Sequence, residues 1–374
     1  MKRVAIGVVV VLAVLLTAIL AFAWFGNYNP EPEETVAVGC TGAPPEIRAG
    51  EPFRVISWNL RQGASRRRPL PDEGGPPTVP LEEVEQTLAT ITAALENEDA
   101  QLYLLQEVDR NSQRTHNIDQ LDHYLTFATD RCHASAPYHR SRYALGNGGS
   151  RIGQVDMELA LLTQVGILSA TRIQLPLLDE TWILRQFDIK PALLVAEIPV
   201  AGLDLPMAVA VTHLSAPPQE SEGLDSQIEA LDQWMGARPK GQPWILAGDL
   251  NLLPAQGKAP TAVDPIGRLL SKYTEVLGDQ TSPNNRTFLP FGAQEPDRKI
   301  DYAFVGGPIE VRSARVLREY AQISGHLPIR AELVVNGPVA ANAVETAPVK
   351  TAPPVETAPV ETTPVQTAPE APTP

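Results

Sequence analysis

The sequence predicts an α/β sandwich, with strands interleaved with two or three helices and some strands pairing antiparallel. Three observations carry that prediction. Short apolar runs at residues 159–162, 166–168, 192–198 and 207–211 follow one another with no helix between them, so chain-neighbouring strands must pair antiparallel. Leu81, Val84, Leu88, Ile91 and Leu95 recur at spacings of three and four, the period of a helix with one apolar face. Several apolar runs also end abruptly in acids, amides or histidines, which gathers those residues along one rim of the sheets.

The elements follow in chain order. Lys2 and Arg3 precede an uncharged apolar run over residues 4–26, which as a helix spans roughly 30 Å or more, enough for a bilayer core. Basic residues before the run and Glu31, Glu33 and Glu34 after it place the N-terminus in the cytoplasm and the rest of the chain outside. Residues 1–26 therefore read as an uncleaved transmembrane anchor. The alternative is a signal peptide cut after Ala23 in Ala21-Phe22-Ala23. Residues 27–50 hold Pro, Glu and Gly without a period and read as a linker.

The domain, residues 51–336, opens on a strand that starts at Phe53 and ends in Asn59. Residues 64–80 form a Pro/Gly loop, and Arg66, Arg67 and Arg68 in it read as solvated. The helix over 81–95 feeds a strand over 102–105. Residues 109–150 look irregular and polar, so His116, His123, His133 and His139 read as surface residues of a long loop. After the antiparallel strands, Ser226-Gln227-Ile228-Glu229 is a capping box for a helix running to Met235. Residues 337–374 read as an extended, disordered Pro/Thr-rich tail, since from Ala341 on the chain repeats Val-Glu-Thr-Ala-Pro, which cannot pack a core.

The chemistry concentrates where the apolar runs stop. Trp244-Ile245-Leu246-Ala247 drives into Gly248-Asp249-Leu250-Asn251, and Asp249 and Asn251, two apart, face one side of an extended chain. They offer an anionic oxygen and a switchable donor or acceptor to a common point, a pair suited to orienting a water or gripping a phosphate. The run over 53–58 ends in Asn59, 101–105 in Gln106-Glu107, and 207–212 in His213. Asp301 lies inside a strand pattern over 299–305, and Ser324-Gly325-His326 follows. One such residue is usually structural; this many strand-end polar residues in one chain predict an active-site floor.

The order Asn, Gln-Glu, Thr-His-Leu, Gly-Asp-x-Asn, Ile-Asp-Tyr, Ser-x-His resembles the endonuclease/exonuclease/phosphatase superfamily over roughly residues 52–335. The resemblance implies a four-layer α/β sandwich: two mixed, mainly antiparallel sheets face to face, flanked by helices, with the catalytic loops on one edge. It implies a metal-dependent phosphoric-ester hydrolase using Mg²⁺ or Mn²⁺, with Glu107 as main metal ligand and Asn59 beside it. Asp249 would orient or deprotonate the attacking water, Asn251 would bond the phosphate, and His213 and His326 would donate to its non-bridging oxygens. Asp301 occupies the position that partners His326, and a partner for His213 is sought in Asp156 or Glu158. One departure stands out: the family carries Asp before the last histidine, and this chain has Gly325. Loss of that carboxylate lowers the expected metal affinity and leaves open a decayed site kept as a binding module.

Composition bears on substrate and compartment. A net charge of −14 and a pI near 4.9 argue against bulk nucleic-acid affinity, because phosphate backbones are held by basic footprints. The expected substrate is thus a phosphodiester of lipid-like or small-molecule type, with a nuclease as the alternative, and the expected form is a monomer tethered through its N-terminal helix. Cys40 and Cys132 are the only cysteines, and an extracytoplasmic compartment would permit a bridge between them, though sequence gives no distance.

Overall fold

In the computed structural model two seven-stranded sheets lie between helices. The structure describes residues 2–70, 74–126, 130–145, 151–179, 181–215, 222–252 and 264–337. The helices are α1 (Lys2–Phe25), α2 (Leu81–Glu98), α3 (Gln120–Tyr124), α4 (Trp182–Phe187), α5 (Glu222–Gly236) and α6 (Pro265–Leu270). The strands are β1 (Glu33–Val36), β2 (Val38–Thr41), β3 (Ile47–Arg48), β4 (Pro52–Asn59), β5 (Leu102–Asp109), β6 (Arg131–Leu145), β7 (Arg151–Thr163) and β8 (Ser169–Gln174). They continue as β9 (Ala192–Ile198), β10 (Val200–Ala201), β11 (Met207–His213), β12 (Trp244–Asp249), β13 (Thr274–Glu275), β14 (Asp301–Gly306), β15 (Ile309–Val316) and β16 (Ile329–Val335).

One sheet runs β15-β16-β4-β5-β7-β6-β2 and the other β1-β8-β9-β11-β12-β14-β13. Only β4–β5 and β11–β12 pair parallel within them; the other neighbours pair antiparallel. Each parallel pair is joined by a helical crossover, α2 in the first case and α5 in the second, as parallel pairing requires. Alternation along the strands sorts side chains between two faces. Val55, Leu102, Leu104, Leu159 and Leu161 meet Leu194, Val209, Val211, Ile245 and Ala303 between the sheets. Ile56, Trp58, Tyr103 and Leu105 pack outward under Val84, Leu88, Ile91 and Leu95 of α2. Ala208, Ala210, Leu246 and Phe304 pack outward under Ile228 and Leu231 of α5 and Ile266 and Leu269 of α6. The result is the expected four-layer sandwich, helix–sheet–sheet–helix.

Several local expectations are corrected. Residues 27–50 are not a free linker: β1 and β2 close one edge of each sheet, and β3 pairs with β10. Residues 131–145 are not an irregular loop but the long strand β6, whose Cys132, Ala134, Ala136 and Tyr138 all face the core. His139 on β6 is half-buried, with Nε2 3.2 Å from the Phe187 carbonyl oxygen; desolvation, helped by Arg114, lowers its pKa to about 4. Arg66 is not merely solvated, since its guanidinium donates to the carbonyls of Pro290, Ala293 and Ala321. α5 starts at Glu222, so Ser226 lies inside the helix and does not open it. Residues 166–168 precede β8 and are not in a strand.

Cys40 and Cys132 sit directly opposite each other on β2 and β6 and form a disulfide. α1 is long and apolar enough to cross a membrane over Arg3–Phe22, and none of that stretch is buried against the domain. The repeat-rich tail predicted over 337–374 lies outside the described residues beyond Gly337.

Candidate active site

The ends of the two parallel pairs meet at the same edge of the sandwich. β4 delivers Asn59 and β5 delivers Glu107 from one sheet, while β11 delivers His213 and β12 delivers Asp249 from the other. Carboxyl ends of parallel strands are where α/β sheets leave room for ligands, because the crossover helices have departed to the flanks. β14 runs antiparallel to β12, so its first residue, Asp301, lies opposite Asp249.

Local backbone irregularities aim these side chains. A bulge interrupts the β5–β7 register between Leu105 and Val108, and Glu107 within it has φ 57°. A bulge re-aims a residue that the strand alternation would otherwise bury. Arg61, Gln62 and Asn251 also have positive φ, at 48°, 61° and 50°. Non-glycine residues in this region each cost on the order of 1 kcal/mol, and such outliers gather at functional sites. Gly248 is required by a close approach, since a Cβ there would meet the Thr212 carbonyl oxygen of β11 at 1.9 Å.

Asn59 ties the two sheets together. Its Nδ2 donates to Glu107 Oε1 at 2.9 Å and to Asp249 Oδ2 at 3.0 Å, and its Oδ1 accepts from the Arg61 backbone amide at 2.9 Å. The amide cannot be flipped, because Nδ2 would then confront the Arg61 N–H. Asn59, expected beside the metal, therefore spends its side chain holding two carboxylates. Glu107 Oε2 is buried and accepts no hydrogen bond. A buried carboxylate oxygen with no donor is costly, and it is what a hard cation would satisfy. Asp249, Asp301 and His326 also place one ligand atom each within 4.8 Å of one another, but His326 Nδ1 lies 3.1 Å from both Asp301 oxygens, so that cluster is already internally satisfied.

Asp249 is fully buried. Its Oδ1 accepts from the Asn251 amide at 2.9 Å, and its Oδ2 lies 3.4 Å from His213 Nε2 and 3.6 Å from His326 Nδ1. Burial raises its pKa above the usual carboxylate value, against the opposing pull of His326 and His213. Burial disfavours a charge on His326, but Asp301, Asp249 and the Asp301 hydrogen bond outweigh it and lift its pKa to about 9. Thr287 Oγ1 accepts from the Asp301 amide at 3.1 Å, and Phe288 meets the His326 ring edge-on with centroids 4.9 Å apart. With Nδ1 turned to Asp301, Nε2 of His326 is the nitrogen left for substrate.

The histidines differ. His213 Nδ1 is 2.9 Å from the Tyr138 hydroxyl and Nε2 is 3.2 Å from Asn251 Nδ2, so both ring nitrogens meet protein. The expected partners Asp156 and Glu158 are engaged elsewhere: Asp156 pairs with Arg140 at 2.9 Å, and Glu158 with Arg140 at 3.0 Å and Arg110 at 3.3 Å. Those long arginines capture the two acids on the outside of the β6–β7 ribbon. Tyr138 was missed because residues 109–150 read as irregular, although the alternation of Cys132, Ala134, Ala136 and Tyr138 carried the strand signal. Also missed was the buried pair behind the β5 bulge, where Arg114 donates to both Asp109 oxygens at 2.9 and 2.7 Å.

Titration of His326 in metal-free protein should show a midpoint near 9. A raised folded-state pKa means that the stabilisation is complete below the ordinary imidazole value of about 6.5 and is lost as pH climbs through about 9. Imidazole resonances followed by NMR from pH 5 to about 10 would contradict the arrangement if His326 titrated at or below its ordinary value.

Gly325 has room for a side chain. An added Cβ would meet the Leu289 carbonyl oxygen at 3.5 Å and Arg61 Cδ at 3.6 Å, both ordinary contacts. Gly325→Asp should therefore fold, with its carboxylate beside the Arg61 guanidinium. That cation competes with a metal for the new oxygen, so Mg²⁺ affinity should rise by no more than roughly tenfold, about 1.4 kcal/mol. Calorimetric Mg²⁺ titration of both forms checks this, and weaker binding in the variant would show that the position does not face the ion.

Residues 56–330 match the profile of the Endonuclease/Exonuclease/phosphatase family. No curated protein sequence matches the chain. Among solved structures, an endonuclease/exonuclease/phosphatase from Beutenbergia cavernae is 19% identical with a TM-score of 0.56, over 77% of this chain and 73% of that one. An endonuclease/exonuclease/phosphatase family protein from Leptotrichia buccalis is 13% identical with a TM-score of 0.52, over 75% of this chain and 99% of that one. D. rerio TDP2, solved in complex with a single-strand DNA product, is 15% identical with a TM-score of 0.50, over 76% and 99%. At such identities the structural likeness carries the fold alone.

Proposed function

Because the chain belongs to the endonuclease/exonuclease/phosphatase family, whose members are metal-dependent phosphoesterases and nucleases, we propose that it is a membrane-tethered, extracytoplasmic phosphodiesterase dependent on Mg²⁺ or Mn²⁺. The observation that carries this reading is the pairing of Glu107 and Asp249 across the sheet seam through Asn59, with Glu107 Oε2 buried and unsatisfied. A divalent ion held at Glu107 would neutralise charge on the phosphoryl oxygens and the leaving group.

The chain's own residues supply the rest. Asp249, fixed by Asn59 and the Asn251 amide, accepts a proton from the attacking water, and its raised pKa makes it a better base. His326, held protonated by Asp301, presents Nε2–H to a non-bridging oxygen where negative charge grows. His213, bonded to Tyr138 and Asn251, positions Asp249 before it meets substrate. Asn251 is held by a bond from its Nδ2 to the Leu214 carbonyl, with its side chain at the rim for the phosphate.

α1 and the excess acidity of the chain favour lipid-like or small phosphodiesters over nucleic acid. The Cys40–Cys132 bridge supports the extracytoplasmic placement, since such bonds persist in oxidising compartments. The test is a metal-dependence screen of the full chain against bis-p-nitrophenyl phosphate, sphingomyelin, phosphoinositides and plasmid DNA. Expected is hydrolysis abolished by chelation and restored by Mg²⁺ or Mn²⁺. Preference for DNA would favour a nuclease, and inactivity on all four would favour a decayed binding module.

A further inference from the structure

Almost no chain separates α1 from the sandwich. α1 ends at Phe25, and Asn27 already bridges Ser141 on β6. Ser141 Oγ donates to Asn27 Oδ1 at 2.6 Å, and the Tyr28 amide donates to the Arg140 carbonyl at 3.1 Å. With α1 across a bilayer, β6 is pinned at the membrane surface and the domain has no slack with which to drift away.

A second element lies at the same depth. Trp24 lies two residues past Phe22, the end of the apolar stretch, at the level where tryptophan favours the membrane–water interface. Trp182 of α4 stacks on Trp24 with centroids 6.2 Å apart and planes 15° apart, so it must share that level. Around this stack Phe25 is 81% exposed, Ile183 52% and Trp182 44%, an apolar patch left open by the described residues.

From this patch the chain leads into the catalytic rim. The Phe187 carbonyl lies 3.2 Å from His139 Nε2, the Lys190 amide donates to the Tyr138 carbonyl at 2.5 Å, and the Tyr138 hydroxyl meets His213. Tyr138 lies three residues along β6 from Ser141, about 10 Å at strand rise. The polar layer of one leaflet is about 5–8 Å deep, so the rim stands just above the headgroups.

We propose that α4 and the exit of α1 form a membrane-docking face whose partner is a phospholipid surface, and that this face holds the catalytic rim against headgroup phosphodiesters of the bilayer that α1 spans. This rests on the reading of α1 as an uncleaved anchor and of the rim as a phosphodiesterase. Lipid covers the exposed rings of Trp182 and Phe25 and the Ile183 side chain, while the single residue Gly26 between α1 and the Asn27 bridge prevents rotation away from the surface.

The test uses the full chain reconstituted in phosphatidylcholine vesicles. Ile183→Cys, labelled with an environment-sensitive nitrobenzoxadiazole dye, is compared with Leu205→Cys, an exposed position just before β11, at the end of the strand remote from His213. Spin-labelled lipid should quench the dye at 183 several-fold more strongly than at 205. Equal quenching in protein that resists alkaline extraction overturns the docking face, as does a blue shift at 183 without lipid quenching, the signature of a second protein copy. Release by alkaline extraction overturns it through the anchor. Hydrolysis of bis-p-nitrophenyl phosphate by the same sample separates the two readings: active protein with an unquenched 183 loses only the docking face, whereas quenching at 183 without hydrolysis supports docking and counts against the phosphodiesterase.

Discussion

Asp249→Asn should lower kcat on a soluble phosphodiester by on the order of 10²–10⁴-fold, the usual contribution of a positioned general base. The substitution keeps the side chain's volume and one oxygen for the Asn251 amide, but it puts an NH2 group where Oδ2 accepted from Asn59, a loss of about 1–3 kcal/mol that thermal melting should register without unfolding the domain. It removes one of the carboxylates that hold His326 protonated, leaving Asp301 and the more distant Glu107. The His326 midpoint should therefore fall from about 9, and the alkaline limb of the rate profile should move to lower pH. Steady-state kinetics beside an NMR titration measures both. A variant with wild-type kcat would place the chemistry elsewhere.

Glu107→Gln should cost on the order of 10³-fold in kcat/KM, matching the several kcal/mol that a bound cation supplies to phosphoryl transfer. The loss should be partly rescued by high Mg²⁺. Stability should move the other way. Glu107 Oε2 is buried without a donor, so removing the charge relieves a penalty in metal-free protein. Thermal melting in chelator should show the variant at least as stable as the parent, and Mg²⁺ should raise the melting temperature of the parent far more. A variant that melts well below the parent in chelator would make Glu107 a structural residue. Sites that accept such a cost commonly trade stability for activity.

The sequence carried the layers and the rim residues for a definite reason. Strands buried on both faces read as apolar runs, so residues 53–58, 102–105, 207–211 and 244–247 were visible, and the polar residue ending each run stood out. α2 was visible because its apolar stripe has a helical period. β6 was not, because its inner face runs through the small residues Cys132, Ala134 and Ala136 before reaching Tyr138, and an irregularity between Pro137 and His139 breaks the alternation. β1 and β2 were hidden for a related reason: edge strands of four residues bury too little to show alternation. The partner of His213 followed from that error, since Tyr138 lies on the unseen strand, and the search passed to Asp156 and Glu158. The bridging role of Asn59 depends on the Arg61 amide two residues on in a left-handed turn, a conformation that Leu60-Arg61-Gln62 does not advertise.

Asn59 and Glu107 belong to one sheet, and Asp249 and His213 to the other, joined at the rim by one asparagine side chain. The apolar layer between the sheets thus works as a spacer that sets the gap across which ion and base must cooperate. Trimming Leu161 or Val209, deep in that layer and away from the rim, would let the sheets settle against each other and alter the gap by tenths of an ångström. Turnover would then register a change in the buried layer as a gauge registers load, and natural variation in the sandwich interior becomes a means of tuning rate while every rim residue stays the same.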